Sequence, residues 1–296
     1  MNEKSKARIA VLLGNFFFGT SVIAVKHISP SLIAPIGLTA IRIVTTTLLF
    51  WSIYFFRPVK LSFSGKEYGL LAFCALAGIT LNQTFTVRGM SLTSPIHASL
   101  LILTTPIAIT FLAAFFLKES LNRFKIAGLL MGISGGALLV FSRDLSDKAS
   151  DQQTLGDLFC IFGALSYAVY VVSIKPLVQK YPTRQILQWV FLMGCFASLP
   201  LGWKSIQEAD WAAFDELSWF ALVYIVLGAT FFAYQLMNYS IHKLGASITG
   251  SYIYTQPFFA TLASMILLHE SLSMTKIIAA AFIMGGVFLA NYKKKL

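Results

Sequence analysis

Thr104-Thr105-Pro106 opens an apolar run that closes on Leu117-Lys118-Glu119-Ser120-Leu121. The same construction returns at Thr255-Gln256-Pro257 and closes on Leu268-His269-Glu270-Ser271-Leu272. Without a gap, Pro106 aligns with Pro257, Thr110 with Thr261, Lys125-Ile126 with Lys276-Ile277 and Gly135 with Gly286, all at an offset of 151 residues. A proline deep in an apolar run, followed by an acidic residue, Ser and Leu, does not recur in register by chance. The chain is two copies of one unit. A looser pairing extends the repeat: Phe18-Gly19 and Lys26 match Tyr167-Ala168 and Lys175 at an offset of 149. The first repeat is expected over residues 1–143 and the second over 155–296, joined by the polar segment Ser142–Thr154.

Composition sets the solvent. With 57% hydrophobic residues, 12% charged and a mean hydropathy of +0.74, this is a membrane composition. The apolar runs approach the roughly 20 residues that a helix needs to cross a bilayer core of about 30 Å. Ten helices are expected: Ala7–Val25, Leu32–Phe56, Tyr68–Val87, Ile96–Leu117, Phe124–Phe141, Leu155–Ile174, Ile186–Trp203, Leu217–Ser240, Ala246–Leu268 and Lys276–Tyr292. The fold class is an all-α membrane protein. Cys74, Cys160 and Cys195 are dispersed in apolar runs, which suits small core residues better than a disulfide frame or a metal site.

The net charge of +11 is explained by basic residues at cytoplasmic helix ends, with no need for a nucleic-acid partner. With the N-terminus inside, the inner side carries 16 Lys and Arg and the outer side 6, Arg42 lying within a span. Both termini are therefore expected in the cytoplasm, in a multi-pass cell (inner) membrane protein. Lys293-Lys294-Lys295 is a cytoplasmic stop in contact with headgroups. Five helices per copy is an odd number, so the second copy enters the membrane inverted. Around Glu119 stand Lys118, Arg123 and Lys125; around Glu270 the matching residues are His269, Met274 and Lys276. The copy placed outside has shed two of its three basic residues, as the positive-inside rule requires.

Inverted repeats are the physical basis of alternating access, with a site near the midplane where helices are interrupted. Pro106 and Pro257 lie at matching depths, and each removes a hydrogen-bond donor, freeing the carbonyls of Ile102 and Ile253. They are hinge candidates, with a plain packing kink as the alternative.

Polar residues at lipid depth face protein or water. The candidates for a cavity wall are Asn15 and Phe18 on the first helix; Asn82, Gln83 and Thr86 on the third; His97 and Thr105 on the fourth. Tyr167 and Tyr170 on the sixth helix, Tyr234 and Asn238 on the eighth, and Tyr252, Tyr254 and Gln256 on the ninth complete the set. Aromatic walls with amide and hydroxyl groups suit a small zwitterionic or aromatic-bearing metabolite. Interhelical hydrogen bonding is the alternative for each residue singly. Arg42 could bind a substrate carboxylate or anchor carbonyls and a helix end, and it is placed with the gating residues. No Asp or Glu lies mid-membrane, which argues against carboxylate-driven antiport. Glu119 and Glu270 are helix-end residues. Gly128, Gly132, Gly135 and Gly136 form a face for close helix packing.

Ten apolar helices in two repeats, each with proline mid-way through its fourth helix and Glu-Ser-Leu at its end, resemble the EamA family of the drug/metabolite transporter superfamily. The segment Arg88-Gly89-Met90-Ser91-Leu92-Thr93-Ser94, through Pro106 to Glu119, is similar to the family's fourth-helix region. The resemblance implies a secondary carrier of small organic metabolites such as amino acids, working outward. It also implies a central cavity lined by the first, third, fourth, sixth, eighth and ninth helices, with the fifth and tenth as scaffold. The partners are then a small-molecule substrate and the bilayer, with a monomer or homodimer as the assembly. A nucleotide-sugar carrier would need several basic residues in its cavity, and a lipid-head-group carrier is the other rival within transport. An intramembrane enzyme or sensor would need a catalytic constellation or a soluble domain. Neither is visible: His269-Glu270 lacks the second zinc histidine, since the residue four after His269 is Ser273, and no phosphate-cradling glycine loop occurs. No cofactor, metal or nucleic acid is expected, and no enzymatic activity.

Overall fold

The computed structural model describes residues 2–56, 62–92, 101–141, 153–267 and 274–290. His97, Glu270, residues 142–152 of the linker and Lys293-Lys294-Lys295 lie outside these residues. The described residues form ten helices: α1 (Glu3–Ile28), α2 (Pro35–Phe56), α3 (65–92), α4 (Thr105–Leu117), α5 (Arg123–Phe141), α6 (Gln153–Lys180), α7 (Thr183–Gln207), α8 (216–244), α9 (246–267) and α10 (Met274–Ala290). A short 3₁₀ turn, Trp211–Ala213, lies between α7 and α8. Six of the helices are long and apolar enough to cross a membrane, and two shorter ones, Thr105–Leu117 and Ile277–Ala290, are also apolar. Phe55, Phe56 and Phe115 stand about four-fifths exposed, at 82%, 80% and 79%. Such rings would be a liability in water; against hydrocarbon they form the lipid face.

The duplication reaches the helix caps. Ser64 and Glu67 build a capping box at the start of α3, where the Ser64 N–H donates to Glu67 Oε2 (2.7 Å) and the Glu67 N–H to Ser64 Oγ (3.4 Å). One repeat later, Asp215 caps α8 by accepting the Ser218 N–H at 2.8 Å. Each cap is tied to the end of another helix. Lys180 and Tyr181 at the end of α6 donate to Glu67, at 2.6 and 3.0 Å. His27 at the end of α1 stands 3.2 Å from Ser218 Oγ.

Both α3 and α8 pass through a π-helical segment, Leu76–Leu81 in one and Leu227–Phe232 in the other, again 151 residues apart. A π-turn leaves carbonyls looking for new donors and is common at functional positions. The prolines act differently from a mid-helix kink. Pro106 is the second residue of α4, after a turn at Leu103-Thr104, and Pro257 is the third residue of Thr255–Leu267, after the 3₁₀ turn Tyr252–Tyr254. There the missing N–H costs nothing, because the first turn of a helix has no partner for it. The turns are stitched alike: Thr104 Oγ1 donates to Leu101 O at 2.6 Å, and Thr255 Oγ1 to Tyr252 O at 2.7 Å.

Packing follows the same symmetry. α1 packs on α8 and α9, as α6 packs on α3 and α4, while α2 meets α7 and α5 meets α10. Exchanging the repeats maps this set of contacts onto itself, so a pseudo-two-fold axis runs between α3 and α8. The α5–α10 contact is backbone against backbone. A Cβ on Gly128 would lie 2.6 Å from the Gly286 carbonyl oxygen, and one on Gly286 would lie 2.7 Å from the Gly128 oxygen. Replacing Gly128 by Leu is expected to cost about 2 kcal/mol by overpacking. In a detergent melt, Gly128→Leu should lower the unfolding temperature, while Gly69→Ala, where a Cβ meets nothing within 4 Å, should not lower it.

Candidate functional site

The axis is marked by two residues that the repeat makes equivalents of each other. Gln83 Nε2 donates to the Tyr234 hydroxyl at 3.0 Å, and that hydroxyl donates to the Gly78 carbonyl at 3.1 Å, within the π-segment of α3. Repeat equivalents can touch only at the axis that relates them. Both are buried, and Phe18, Tyr170 and Phe191 surround the Tyr234 ring edge-on, with centroids 5.8, 6.1 and 5.3 Å away. Asn238, one turn along α8, donates to the Tyr170 hydroxyl (2.7 Å) and to the Tyr234 carbonyl (2.9 Å). Its Oδ1 is buried with no hydrogen-bond partner among the described residues. Tyr167 packs on Tyr170 with centroids 5.9 Å apart.

A second amide pair joins α9 to α1: Gln256 Nε2 donates to Asn15 Oδ1 at 2.8 Å, and Asn15 Nδ2 to the Val11 carbonyl at 2.7 Å. Asn15 is fully buried, and its Nδ2 also lies 3.7 Å from the Met237 sulfur, one turn from Tyr234.

Other residues singled out by sequence lie elsewhere. Asn82 donates to the Gly163 carbonyl at 2.9 Å, and Thr86 packs on the same glycine, so both seat α3 on α6. Tyr254 is fully buried in a cluster with Leu103, Leu129 and Ile283, against Gly132 of α5. Tyr252 belongs to the central core cluster, and Thr105 is buried at the start of α4. Arg42 sits on α2, and its Nε donates to Thr230 Oγ1 at 3.0 Å within the π-segment of α8. Sequence reasoning did not find Thr230 or the π-segments, since no propensity marks a π-turn; the glycine in each, Gly78 and Gly228, was the available hint.

At one end of the bundle Glu119 joins three helices. It follows α4, accepts Lys175 Nζ of α6 at 2.7 Å, and caps α9 by accepting the Ala246 and Ser247 N–H groups at 3.0 and 3.2 Å. Burial alone would raise its carboxyl, but the hydrogen bonds from Lys175 and Ser247 outweigh burial and hold it below the ordinary carboxylate range. Lys125 Nζ adds charge at 3.9 Å. Among the described residues, no group of three His, Cys, Asp or Glu could hold a metal ion.

Comparison with known proteins agrees with this architecture. The model of the EamA-like transporter family matches the chain twice, over residues 5–141 and 154–292. A protein of Archaeoglobus fulgidus named as an uncharacterized transporter is 25% identical over 299 residues, covering 99% of both chains. YoaV of Bacillus subtilis, also named as an uncharacterized transporter, is 24% identical and covers 97% of each. A chloroplastic WAT1-related protein of Arabidopsis thaliana is 25% identical over 95% of this chain and 69% of its own length. A solved crystal structure shares 20% identity and superposes with a TM-score of 0.79 over 97% of this chain and 96% of that one, which establishes the shared fold. Matched over both halves by the family model, the chain belongs to the EamA-like transporter family and is an all-α, multi-pass membrane transporter, not an enzyme.

Proposed function

We propose that this transporter carries a small zwitterionic metabolite, of the amino-acid class, outward across the cell membrane by alternating access, with both termini cytoplasmic. The observation that carries the reading is the Gln83–Tyr234 hydrogen bond at 3.0 Å. A site on the pseudo-two-fold axis is presented equally to both faces when the repeats exchange conformations. The unpartnered Asn238 Oδ1 supplies an acceptor for an ammonium group, and Phe18, Tyr167 and Tyr170 supply apolar and π surface beside it. Glu119 closes the end that the positive-inside count places in the cytoplasm. Pro106 and Pro257, at helix restarts, provide the joints about which the closing halves of α4 and α9 turn. The outward direction rests on the family resemblance, and the assembly is a monomer or a homodimer through scaffold helices.

A thermal-shift screen of the purified protein against amino acids and related metabolites tests the substrate class; stabilisation by none of them overturns it. The described spans hold no mid-membrane carboxylate, so uptake of the ligand found into liposomes should change by less than about twofold when a pH gradient is imposed. Strict dependence on the gradient would show a proton-coupled cycle instead.

A further inference from the structure

Among the described residues, Arg42 is a buried cation without a counter-ion. It lies on α2 at 7% exposure, in the span Pro35–Phe56. A guanidinium carries five N–H donors and cannot shed its charge in a protein. One donor is accounted for, from Nε to Thr230 Oγ1 at 3.0 Å, while Thr230 passes its own proton to the Ile225 carbonyl at 2.8 Å. The two Nη groups meet no hydrogen-bond acceptor among the described residues, and no described carboxylate pairs with Arg42. The described acidic residues stand near helix ends or in connections, as Glu67, Glu119 and Asp215 do. Yet its partner Thr230 lies one helical turn before Tyr234 on α8, which places the guanidinium beside the axial cluster. An ion held this way in a low-dielectric interior is costly until an anion joins it.

We infer that Arg42 is the anion-binding residue of the central site, and that its Nη groups take the substrate's carboxylate as a two-pronged fork. The inference rests on reading the Tyr234 cluster as the binding site. One guanidinium neutralises one negative charge. The other described basic residues are placed near helix ends or in connections, so a phosphate or sugar-nucleotide dianion would enter with charge left over. A monocarboxylate leaves none, and its planar oxygens match the guanidinium fork. Thr230 has a stated part in this. By accepting from Nε it fixes the rotation of the guanidinium and aims the Nη edge, so it is a positioning residue and does not touch substrate.

The test uses the full-length protein in detergent with matched sets of ligands: amino acids, their carboxamides, the corresponding decarboxylated amines, and the carboxylic acids lacking the amine. Wild type should be stabilised by carboxylate-bearing members, and the best of them should bind at least tenfold more tightly than its amide. Arg42→Gln should erase that acid-over-amide ratio. Arg42→Lys should keep its sign while weakening it, since a point charge replaces the fork. Should Arg42→Gln fail to fold, the ratio in wild type and in Arg42→Lys still decides. If amides or amines stabilise as well as acids, or if no carboxylate stabilises at all, the assignment is overturned. A persisting acid-over-amide ratio in Gln83→Ala and Tyr234→Phe, with affinity unchanged, would leave Arg42 in place and refute the central cluster. Loss of binding in those variants together with an unchanged ratio in Arg42→Lys and Arg42→Gln would do the reverse.

Discussion

Glu119→Gln is expected to open the closed end of the transporter. In wild type the carboxylate holds the Lys175 ammonium and two first-turn amides of α9, with both charged side chains only 15% exposed. Glutamine keeps the volume and one carbonyl oxygen but loses the charge, leaving Lys175 largely buried without its closest counter-charge. It also removes the anion that complements the partial positive charge at the start of α9. Losing a charge-assisted bond of this kind costs about 2 kcal/mol, or roughly a thirtyfold shift of the open–closed equilibrium. The readout is thiol labelling of a cysteine introduced at Thr249, a buried position just inside the gate, with the native cysteines replaced. Labelling should accelerate by that factor; an unchanged rate refutes the lock. Acid should mimic the substitution. The Glu119 carboxyl is held below its ordinary range in the closed form, so closure is fully stabilised above that range and is lost as pH falls through the depressed value. Once corrected for the thiolate fraction of the probe cysteine, wild-type labelling should therefore be flat through neutral pH and rise only in acid, and Glu119→Gln should lack that rise.

Tyr234→Phe is expected to abolish most transport while the protein still assembles. The hydroxyl serves two buried groups, accepting from Gln83 and donating to Gly78 O. Removing it strands both, at about 1–3 kcal/mol for each unmet group. A stability loss alone would not establish a functional role, so the pair must be separated. Gln83→Leu together with Tyr234→Phe removes both partners of the first bond, and stability should partly recover. Transport by the double variant should remain at least tenfold down, because the polar groups at the axis are gone. Asn82→Ala is the contrast. Its hydrogen bond to Gly163 seats α3 on α6, so the melting temperature should fall while transport per folded molecule stays near wild type. Recovery of transport in the double variant would make Gln83–Tyr234 a packing contact and nothing more.

Much of this was legible in the residues, and unevenly so. The Thr104–Leu121 and Thr255–Leu272 repeat already implied two copies, because register at a fixed offset is a property of sequence alone. It even paired Gln83 with Tyr234 by number. That the two residues bond to each other could not be read, since offset establishes equivalence and says nothing of distance. Asn82 and Gln83 are neighbours of like chemistry, yet adjacent helix positions point about 100° apart. One faces the axis, and the other faces Gly163. The prolines were visible as interruptions, but their place at helix restarts depends on the turns at Leu103-Thr104 and Tyr252–Tyr254.

Sequence by itself determined the membrane composition and the duplication of one unit. Hydropathy and register at a fixed offset are properties of the chain alone and need no knowledge of neighbours. Tertiary structure alone decided that Glu119 bridges α4, α6 and α9, that Arg42 meets Thr230 and no carboxylate among the described residues, and that Gln83 reaches Tyr234. Each of these is a contact between helices far apart in the chain, set by which faces the packing turns inward. In a bilayer interior such contacts fix which polar groups find partners and which are left for a substrate.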